Sequence, residues 1–362
     1  MQENEGVVGR ASVRLTLDCN NHCVFCGQEG LPPAESAVTS ELTRARATHD
    51  EVTFVGGEPT LYEGLEGAVV AARAQGFRRV GIQTNGARFA ELGYATKLAK
   101  AGLTDVHFSL HGAEASVHDY HTERPGSFDH ILAAIHAARV NELPVVVTTV
   151  LTKSNFRVLG AMPPLLAARG VAAWLVSVPA IAGRAAVLRD RVVPRLGLAL
   201  PFALHALGSA HALRMPAWMA GAPLCLLGPF AEHVVPTETR AYAPVCDACP
   251  GKSRCPGVDA EYLARFEGDE LSLRDAFPRK AASTSLTAMF VGPGELAPQL
   301  AAAVPAVARP RTSLPMLGKV KPALAEASSA TQRRTGGALK EIFPTLFEPT
   351  SASSVPEDDS KS

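Results

Sequence analysis

The decisive stretch is residues 12–26, SVRLTLDCNNHCVFC, in which a β-rich run passes directly into three closely spaced cysteines. Three and then two residues separate Cys19, Cys23 and Cys26, so a single loop can present all three thiolates. Such a loop can ligate three irons of a cubane iron–sulfur cluster, and it leaves the fourth iron without a protein ligand. Structural zinc normally takes four ligands, and no fourth cysteine or suitably spaced histidine follows this loop. The spacing therefore favours an open cubane over a zinc site.

Beyond the cysteine loop, six β-rich runs alternate with helical stretches up to about residue 180. Six β-then-α units in a row imply a parallel sheet with right-handed crossovers. Six are too few for a closed eight-stranded barrel, so the expected fold class is α/β, a partial (β/α)6 TIM-like barrel with its ligands at the carboxyl ends of the strands. The predicted strands are 12–18, 51–55, 79–84, 105–110, 144–152 and 173–178, and the predicted helices include 62–75, 90–101, 128–141 and 158–169.

Glycines and polar residues stand where three of these strands end. The second strand runs into Gly56-Gly57-Glu58-Pro59, the third into Thr84-Asn85-Gly86 and the fourth into Ser109-Leu110-His111-Gly112. Two adjacent glycines let the backbone come close to a ligand, and the carboxylate beside them can pair with an ammonium group. Because an open parallel sheet keeps its ligands at this edge, these residues are candidate ligand contacts.

These segments together resemble the radical S-adenosylmethionine (SAM) superfamily over about residues 8–180. The family signature is Cys-x3-Cys-x2-Cys at the end of a first strand, with an aromatic residue, here Phe25, before the last cysteine. The resemblance implies that Cys19, Cys23 and Cys26 are the catalytic ligands of a [4Fe–4S] cluster. It also implies that SAM chelates the open iron through its amino and carboxylate groups, and that Phe25 packs near the cluster and adenine.

The same resemblance suggests roles for the strand ends. Gly56-Gly57-Glu58 matches the family's Gly-Gly-Glu-Pro motif, and Glu58 with the nearby backbone is expected to hold the amino group of SAM. Asn85 lies at the corresponding third-strand position, and Ser109 is expected to contact the ribose or carboxylate of SAM. His111 replaces an aspartate that is frequent in the family. It either faces SAM or substrate, or merely caps the strand.

Two further polar segments are weaker candidates for SAM binding. Residues 148–155, at the exit of the fifth strand, could contribute to the ribose or adenine site. Residues 118–124 are predicted to form a loop before the helix at 128–141, and Arg124 could hold the SAM carboxylate. An exposed charged loop is the alternative for that second segment.

A second cysteine group, Cys225, Cys246, Cys249 and Cys255, supplies four further thiolates. Four such ligands suit a closed cubane or a structural zinc ion. The group resembles the shorter, twitch type of the twitch/SPASM extensions found in radical SAM enzymes, which implies an auxiliary [4Fe–4S] cluster for electron transfer or structural support. Cys225 lies far from the other three in sequence. Without it, an iron would be left free to bind substrate.

The predicted domain organisation has four parts. The radical SAM core at 8–180 is followed by a helical connector at 181–222 and a small Cys-rich Fe–S extension at 223–277. From residue 278 to 362 the composition shifts to Ala, Pro, Ser and Thr, which predicts a largely disordered tail. Residues 338–348 are an apolar island in that tail, either a docking segment for a partner or a stray patch.

Charge and cysteine content restrict the expected partners and the expected cellular compartment. Lys plus Arg and Asp plus Glu number 35 each, so no global basic field attracts nucleic acid or a membrane surface. The most apolar stretch, 196–213, is interrupted by a proline and two histidines and is expected to be a buried helix. An odd count of seven cysteines, with a polar acidic N-terminus, favours metal ligands in a reducing, cytoplasmic compartment.

The resemblance implies an enzyme that reductively cleaves SAM to a 5′-deoxyadenosyl radical, which abstracts hydrogen from a substrate. It also implies a reducing electron donor of the flavodoxin or ferredoxin type. By analogy with enzymes that carry twitch-like extensions, the favoured substrate is a peptide or protein. The alternative is a small molecule in cofactor biosynthesis, of the molybdopterin-precursor or quinone type. Nucleic-acid modification and a non-catalytic SAM-binding scaffold rank lower.

Overall fold

The computed structural model describes residues 10–32, 37–235, 241–274 and 289–290. The chain divides into two units, of which Met1–Val307 contains all of these residues. The second unit, Ala308–Ser362, lies outside the described residues, as does the docking segment predicted at 338–348.

Seven parallel strands form one sheet in sequential order, each paired with the next. This confirms the α/β partial barrel. The strands are β1 (Arg10–Thr16), β2 (Glu51–Gly56), β3 (Arg79–Thr84), β4 (Asp105–Ser109), β5 (Val145–Val150), β6 (Ala173–Ser177) and β7 (Ala217–Ala220). The helices are α1 (Val38–Arg46), α2 (Leu65–Ala74), α3 (Leu92–Ala101), α4 (Ala115–Thr122), α5 (Ser127–Val140), α6 (Met162–Ala168), α7 (Gly183–Val187), α8 (Arg189–Val192), α9 (Leu196–Ala212) and α10 (Ala260–Phe266). Short 3-10 helices lie at Pro59–Leu61, Phe156–Ala161, Leu224–Leu226, Gly228–His233, Pro244–Ala248 and Lys252–Arg254.

Each strand alternates between two environments because successive side chains point to opposite faces of a sheet. Val13, Phe54 and Phe108 are fully or almost fully buried in the core that the strands share with the helices. Positions an odd number of residues away, such as Arg10 and His107, point to the concave face. The strands therefore carry an apolar outer surface and a largely polar inner one through β4.

Three sequence predictions need correction. The segment 181–222 was expected to be a helical connector, but it contains β7, which pairs in parallel with β6. Its four residues are all buried and too few to stand out beside the strongly apolar α9. The segment 118–124 was expected to be a loop, but its residues 118–122 are the end of α4. The tail from residue 278 was expected to be largely disordered, but two of its residues, Met289 and Phe290, are buried in a cluster with Trp218 of β7.

The other predicted strands agree with the structure within two or three residues at each end. The helix expected at 158–169 is divided into the 3-10 helix Phe156–Ala161 and α6, which begins just before two prolines. Proline suits the first turn of a helix, where its missing N–H is not needed. In the described part of the chain, no helix combines the length and the hydropathy needed to cross a membrane.

A buried ion pair ties the amino ends of β1 and β4 together on the concave side. Nη2 of Arg10 donates to Oδ2 of Asp105 at 2.7 Å, and both side chains are at most 5% exposed. The same oxygen accepts from Thr104 Oγ1 at 2.8 Å and lies 3.4 Å from Nε of Arg79. One carboxylate therefore links three strands at the end of the barrel away from the cysteine loop.

Replacing Asp105 with asparagine should cost about 3 kcal/mol of unfolding free energy, because it leaves a buried guanidinium without its counter-charge. Glu41→Gln is the matched control, since Glu41 pairs with Arg44 at the surface, where an ion pair contributes at most about 1 kcal/mol. Urea denaturation of the full chain measures both variants. Equal midpoints for the two variants would contradict a structural role for the Asp105 pair.

Candidate active site

The cysteine loop follows β1 and is held by the end of α4. The backbone N–H of His22 donates to the carbonyl of Thr122 at 2.9 Å, and that of Val24 donates to His121 at 3.0 Å. These carbonyls are at the carboxyl end of α4, where helix carbonyls lack partners in the helix itself. The loop that carries Cys19, Cys23 and Cys26 is therefore fixed through its backbone, and its thiol groups are left to bind a ligand.

The three thiols suit a cluster that binds thiolates. All three line one cavity at the carboxyl edge of the sheet. Burial raises the pKa of Cys19 and of Cys23, and the neighbouring thiolates raise both further. Deprotonating the set therefore requires a positively charged group among the sulfurs. The backbone N–H of Asn21 donates to Sγ of Cys19 at 3.4 Å, an interaction that stabilises a thiolate.

Among the described residues, no three His, Cys, Asp or Glu side chains converge on a point where a single metal ion would bind. A cubane requires no such point, because each thiolate binds a different iron atom. The cavity, the shared loop and the N–H donor to sulfur all fit a three-cysteine cubane.

Glu58 is the most completely hydrogen-bonded carboxylate at this edge. Its Oε1 accepts from the backbone N–H of Thr60 at 3.0 Å and from the hydroxyls of Thr60 and Thr84 at 2.6 Å each. Its Oε2 accepts only from the backbone N–H of Asn85 at 2.7 Å. Burial raises the pKa of Glu58, while these four hydrogen bonds oppose the shift. Oε2 therefore retains acceptor capacity for an ammonium group.

The glycines before Glu58 allow two segments to approach closely. A Cβ on Gly57 would lie 2.3 Å from the carbonyl oxygens of Leu17 and Asp18, which is too close for any side chain. The backbone N–H of Glu58 donates to Asp18 at 2.7 Å. The turn after β2 is therefore attached to the residues immediately before Cys19.

His111 lines the cavity and bonds to the end of β5, and its contact with SAM or substrate stays a prediction. Its Nδ1 accepts from the backbone N–H of Val150 at 3.3 Å, so the neutral ring carries its proton on Nε2. Burial lowers the pKa of His111 well below its usual value, and His118 and His121 lower it further. Phe25 packs edge-on against His111, with ring centroids 4.5 Å apart. The aromatic residue of the cysteine loop is therefore positioned by the end of β4.

Asn85, which follows β3, lies beside the cysteine loop. Its Nδ2 donates to Oδ1 of Asn20 at 2.7 Å and lies 4.0 Å from Sγ of Cys19. Ser109 lines the same cavity from the end of β4. Arg124 contacts the cysteine loop only through a 3.4 Å hydrogen bond to the carbonyl of Asn20.

The polar exit of β5 has a structural role that the sequence did not reveal. Nδ2 of Asn155 donates to the carbonyls of His111 at 3.0 Å and Val150 at 2.8 Å. The hydroxyl of Thr152 is 2.6 Å from Nε2 of His121. These residues hold the ends of β4 and β5 together and support α4, and Thr148 and Val150 are the members of this exit that line the cavity.

The cavity has a volume of about 450 Å³, within the range that holds a small-molecule ligand. It extends below the strand ends to inner-face residues that sequence reasoning missed. His107 is one of them, and burial followed by the charge of Arg10 lowers the pKa of its ring to about 3, which makes it neutral. The missed residues are Gln83, His107, Leu175 and Ser177. For the three polar ones, the available signal was a polar residue at every second position of an otherwise apolar strand.

The second cysteine group also surrounds one small cavity. Sγ of Cys255 accepts from the backbone N–H groups of Leu224 and Gly257, at 3.4 Å each. Cys225 is buried beside the other three despite its distance in sequence. The structure thus brings all four together, and metal binding by them stays a prediction.

The fold and site define an iron–sulfur protein of the partial-barrel class. Residues 13–156 match the family model of the radical SAM superfamily, so the chain carries a radical SAM domain over this segment. Members of the family use a [4Fe–4S] cluster and S-adenosylmethionine.

Curated relatives match over segments of 153 and 162 residues. The chain is 34% identical over 162 residues to a probable GTP 3′,8-cyclase of Methanopyrus kandleri, covering 43% of this chain and 52% of that protein. It is 32% identical over 153 residues to an AdoMet-dependent heme synthase of Methanosarcina barkeri, covering 39% of this chain and 42% of that protein. The chain spans about half or less of the length of these relatives.

Solved structures with a related fold include Streptococcus suis SuiB bound to its precursor peptide SuiA. The TM-score is 0.47 at 14% identity, with 57% of this chain and 48% of that chain covered. Another is anSMEcpe with bound AdoMet and a peptide, with a TM-score of 0.39 at 17% identity over 46% of this chain and 51% of that chain.

Glu58→Gln should weaken SAM binding at least about tenfold. The substitution removes the negative charge and replaces one carboxylate oxygen by an amide nitrogen, which cannot accept a hydrogen bond from the ammonium group of SAM. Iron content should stay unchanged, since Glu58 contacts none of the cysteines in the hydrogen bonds described above. Equilibrium dialysis of the reconstituted protein measures the affinity for SAM. Glu63→Gln, at an exposed position five residues further on, is the matched control. Equal affinities in the two variants would remove Glu58 from the SAM site.

Iron analysis of a Cys19→Ala/Cys23→Ala/Cys26→Ala variant tests the second cysteine group. Reconstitution should leave about four irons per chain, because four cysteines complete a second cubane. Further substitution of Cys246 and Cys249 should remove this iron. Zinc in place of iron in the triple variant would show a structural zinc site instead.

Proposed function

We propose that the chain is a radical SAM enzyme that abstracts hydrogen from an uncharged part of a peptide or protein substrate. The observation that supports this most directly is the cavity itself. Three cluster-type cysteines lie on one side of it, and neutral polar and apolar residues of the inner strands lie on the other. A ligand held at the cysteines would therefore face a substrate inside the barrel.

A [4Fe–4S] cluster held by Cys19, Cys23 and Cys26 would supply the one-electron reduction that cleaves SAM. The residues of this chain hold and orient the reactants. Oε2 of Glu58 is available to the amino group of SAM, and Asn85 lies between that carboxylate and Cys19. The Nε2–H of His111 and the hydroxyl of Ser109 supply donors at the end of β4, in the same cavity.

The barrel interior protects this chemistry from water. Leu175 lines the inner part of the cavity, and His107 is almost completely buried beneath it. The ring of Phe290 packs edge-on against His107, with centroids 5.5 Å apart. Excluding water matters because a carbon radical would otherwise be lost to side reactions. A donor of the flavodoxin or ferredoxin type would deliver the electron.

The charge of the cavity favours a peptide over a nucleotide. Among the described residues that line it, Arg184 is the sole Lys or Arg, and its Nε already pairs with Glu29 at 2.8 Å. His107 and His111 are neutral, because burial lowers the pKa of each. A nucleoside triphosphate is normally held by several Arg or Lys side chains or by a metal ion. The described lining offers no such group of cations.

The second candidate is cofactor biosynthesis from a nucleotide. It is favoured by the relationship to GTP 3′,8-cyclases at 32–34% identity. The matched segments exclude more than half of this chain, so the relationship bears on SAM chemistry more than on the substrate. The two candidates differ in the substrate that should stimulate SAM cleavage.

Anaerobically reconstituted protein with dithionite and SAM should form 5′-deoxyadenosine, measured by liquid chromatography and mass spectrometry. Cys26→Ala is the control that removes a cluster ligand and should reduce the product to background. A short peptide encoded beside this gene should increase the formation of 5′-deoxyadenosine, and its own mass should change by the hydrogen that it gains or loses. GTP should not be consumed. Consumption of GTP would support the nucleotide candidate. Product equal to that of Cys26→Ala would defeat the catalytic proposal.

A further inference from the structure

Arg184, the second residue of α7, contacts the cysteine loop at two separate points. Its backbone N–H donates to the carbonyl of Cys26 at 2.9 Å. Its Nη1 donates to the carbonyl of His22 at 2.5 Å. A single residue that follows β6 therefore holds both ends of the segment that carries Cys23 and Cys26.

The backbone before Arg184 is shaped for this close approach. Gly183 has φ +51°, in the left-handed region, and a Cβ there would lie 2.7 Å from the carbonyl oxygen of Cys26. Only glycine meets both conditions without strain. The contact between α7 and the loop is therefore built into the chain.

The guanidinium is itself held in place by carboxylates. Glu29 Oε2 lies 2.8 Å from Nε of Arg184, and Glu123 lies 3.6 Å from Nη1. The side chain is 23% exposed and lines the active-site cavity. The guanidinium also reaches the backbone carbonyl of His22, the residue before Cys23. A fixed positive charge thus lies close to the cluster ligands.

We propose that Arg184 is a positioning residue of the cluster loop, which holds Cys23 and Cys26 in place and favours the reduced state of the cluster through its charge. The inference rests on the proposed function only in requiring that the three cysteines bind a cluster. A reduced cubane carries one more negative charge than the oxidised one, so a nearby cation stabilises it preferentially. Arg184 therefore makes the cluster easier to reduce before SAM is cleaved.

The test is a redox titration of the reconstituted full chain, followed by electron paramagnetic resonance of the reduced cluster. The signal of interest is the part that changes when SAM is added, which separates this cluster from a second one. In Arg184→Gln the ratio of reduced to oxidised cluster at a fixed potential should fall about three- to tenfold. Arg184→Lys keeps the charge and should stay within about twofold of the parent protein.

Arg191→Gln is the matched control, because Arg191 also approaches Glu123, at 3.6 Å, and binds Tyr120 rather than the cysteine loop. It should leave the titration unchanged. Iron per chain is measured on every variant, so that loss of the cluster is seen directly. If Arg184→Gln binds iron and titrates like the parent protein, the proposal is wrong. Equal loss of iron in Arg184→Gln and Arg184→Lys would overturn the role of the charge.

These measurements use no substrate and do not depend on hydrogen abstraction. A protein that shows the expected shift in Arg184→Gln but forms no 5′-deoxyadenosine would refute the proposed enzyme function alone. A protein that forms 5′-deoxyadenosine without any shift would refute the role of Arg184 alone.

Discussion

The site depends on backbone hydrogen bonds that support a loop without regular structure of its own. The cysteine loop receives two carbonyls from the end of α4 and two donors from Arg184. These partners are about a hundred and a hundred and sixty residues away in sequence. Because several strands of the sheet separate these elements along the chain, the cysteines reach their positions only when the barrel has formed. Local sequence supplies the ligands, and tertiary structure supplies their arrangement.

The two halves of the concave face have different chemistry. The β1–β4 half carries ionised and polar groups, among them the Arg10–Asp105 pair and Glu51, which is bound by Arg78. The β5–β7 half is apolar, and its lower part forms a cluster with Met289 and Phe290. His107 lies where the halves meet, bonded to Thr148 at 2.6 Å and packed against Phe290. The inner part of the cavity beside it is therefore lined by neutral side chains, and the Arg10–Asp105 pair lies towards the amino ends of the strands.

The sequence predicted features that are encoded locally. Such features depend on neighbours a few positions away, and they include the three cysteines on one loop, the two glycines at a strand end and the alternating apolar residues. Contacts between distant segments could not be predicted in this way. Arg184 has no motif, and its importance comes from the carbonyls of His22 and Cys26. Strand β7 was missed because its four residues are strand-like only through pairing with β6.

The family match covers only part of the residues that line the cavity. The match ends at residue 156, just after β5, and includes the cysteines, Glu58 and His111. The same cavity is completed by Leu175 and Ser177 of β6 and by Arg184 of α7, all beyond that boundary. The shared half of the barrel therefore holds the groups expected to bind SAM. The remaining half completes the cavity, and it brings one cation that is already engaged by Glu29. A protein that shares only the segment 13–156 can share the groups expected to bind SAM and still act on a differently charged molecule.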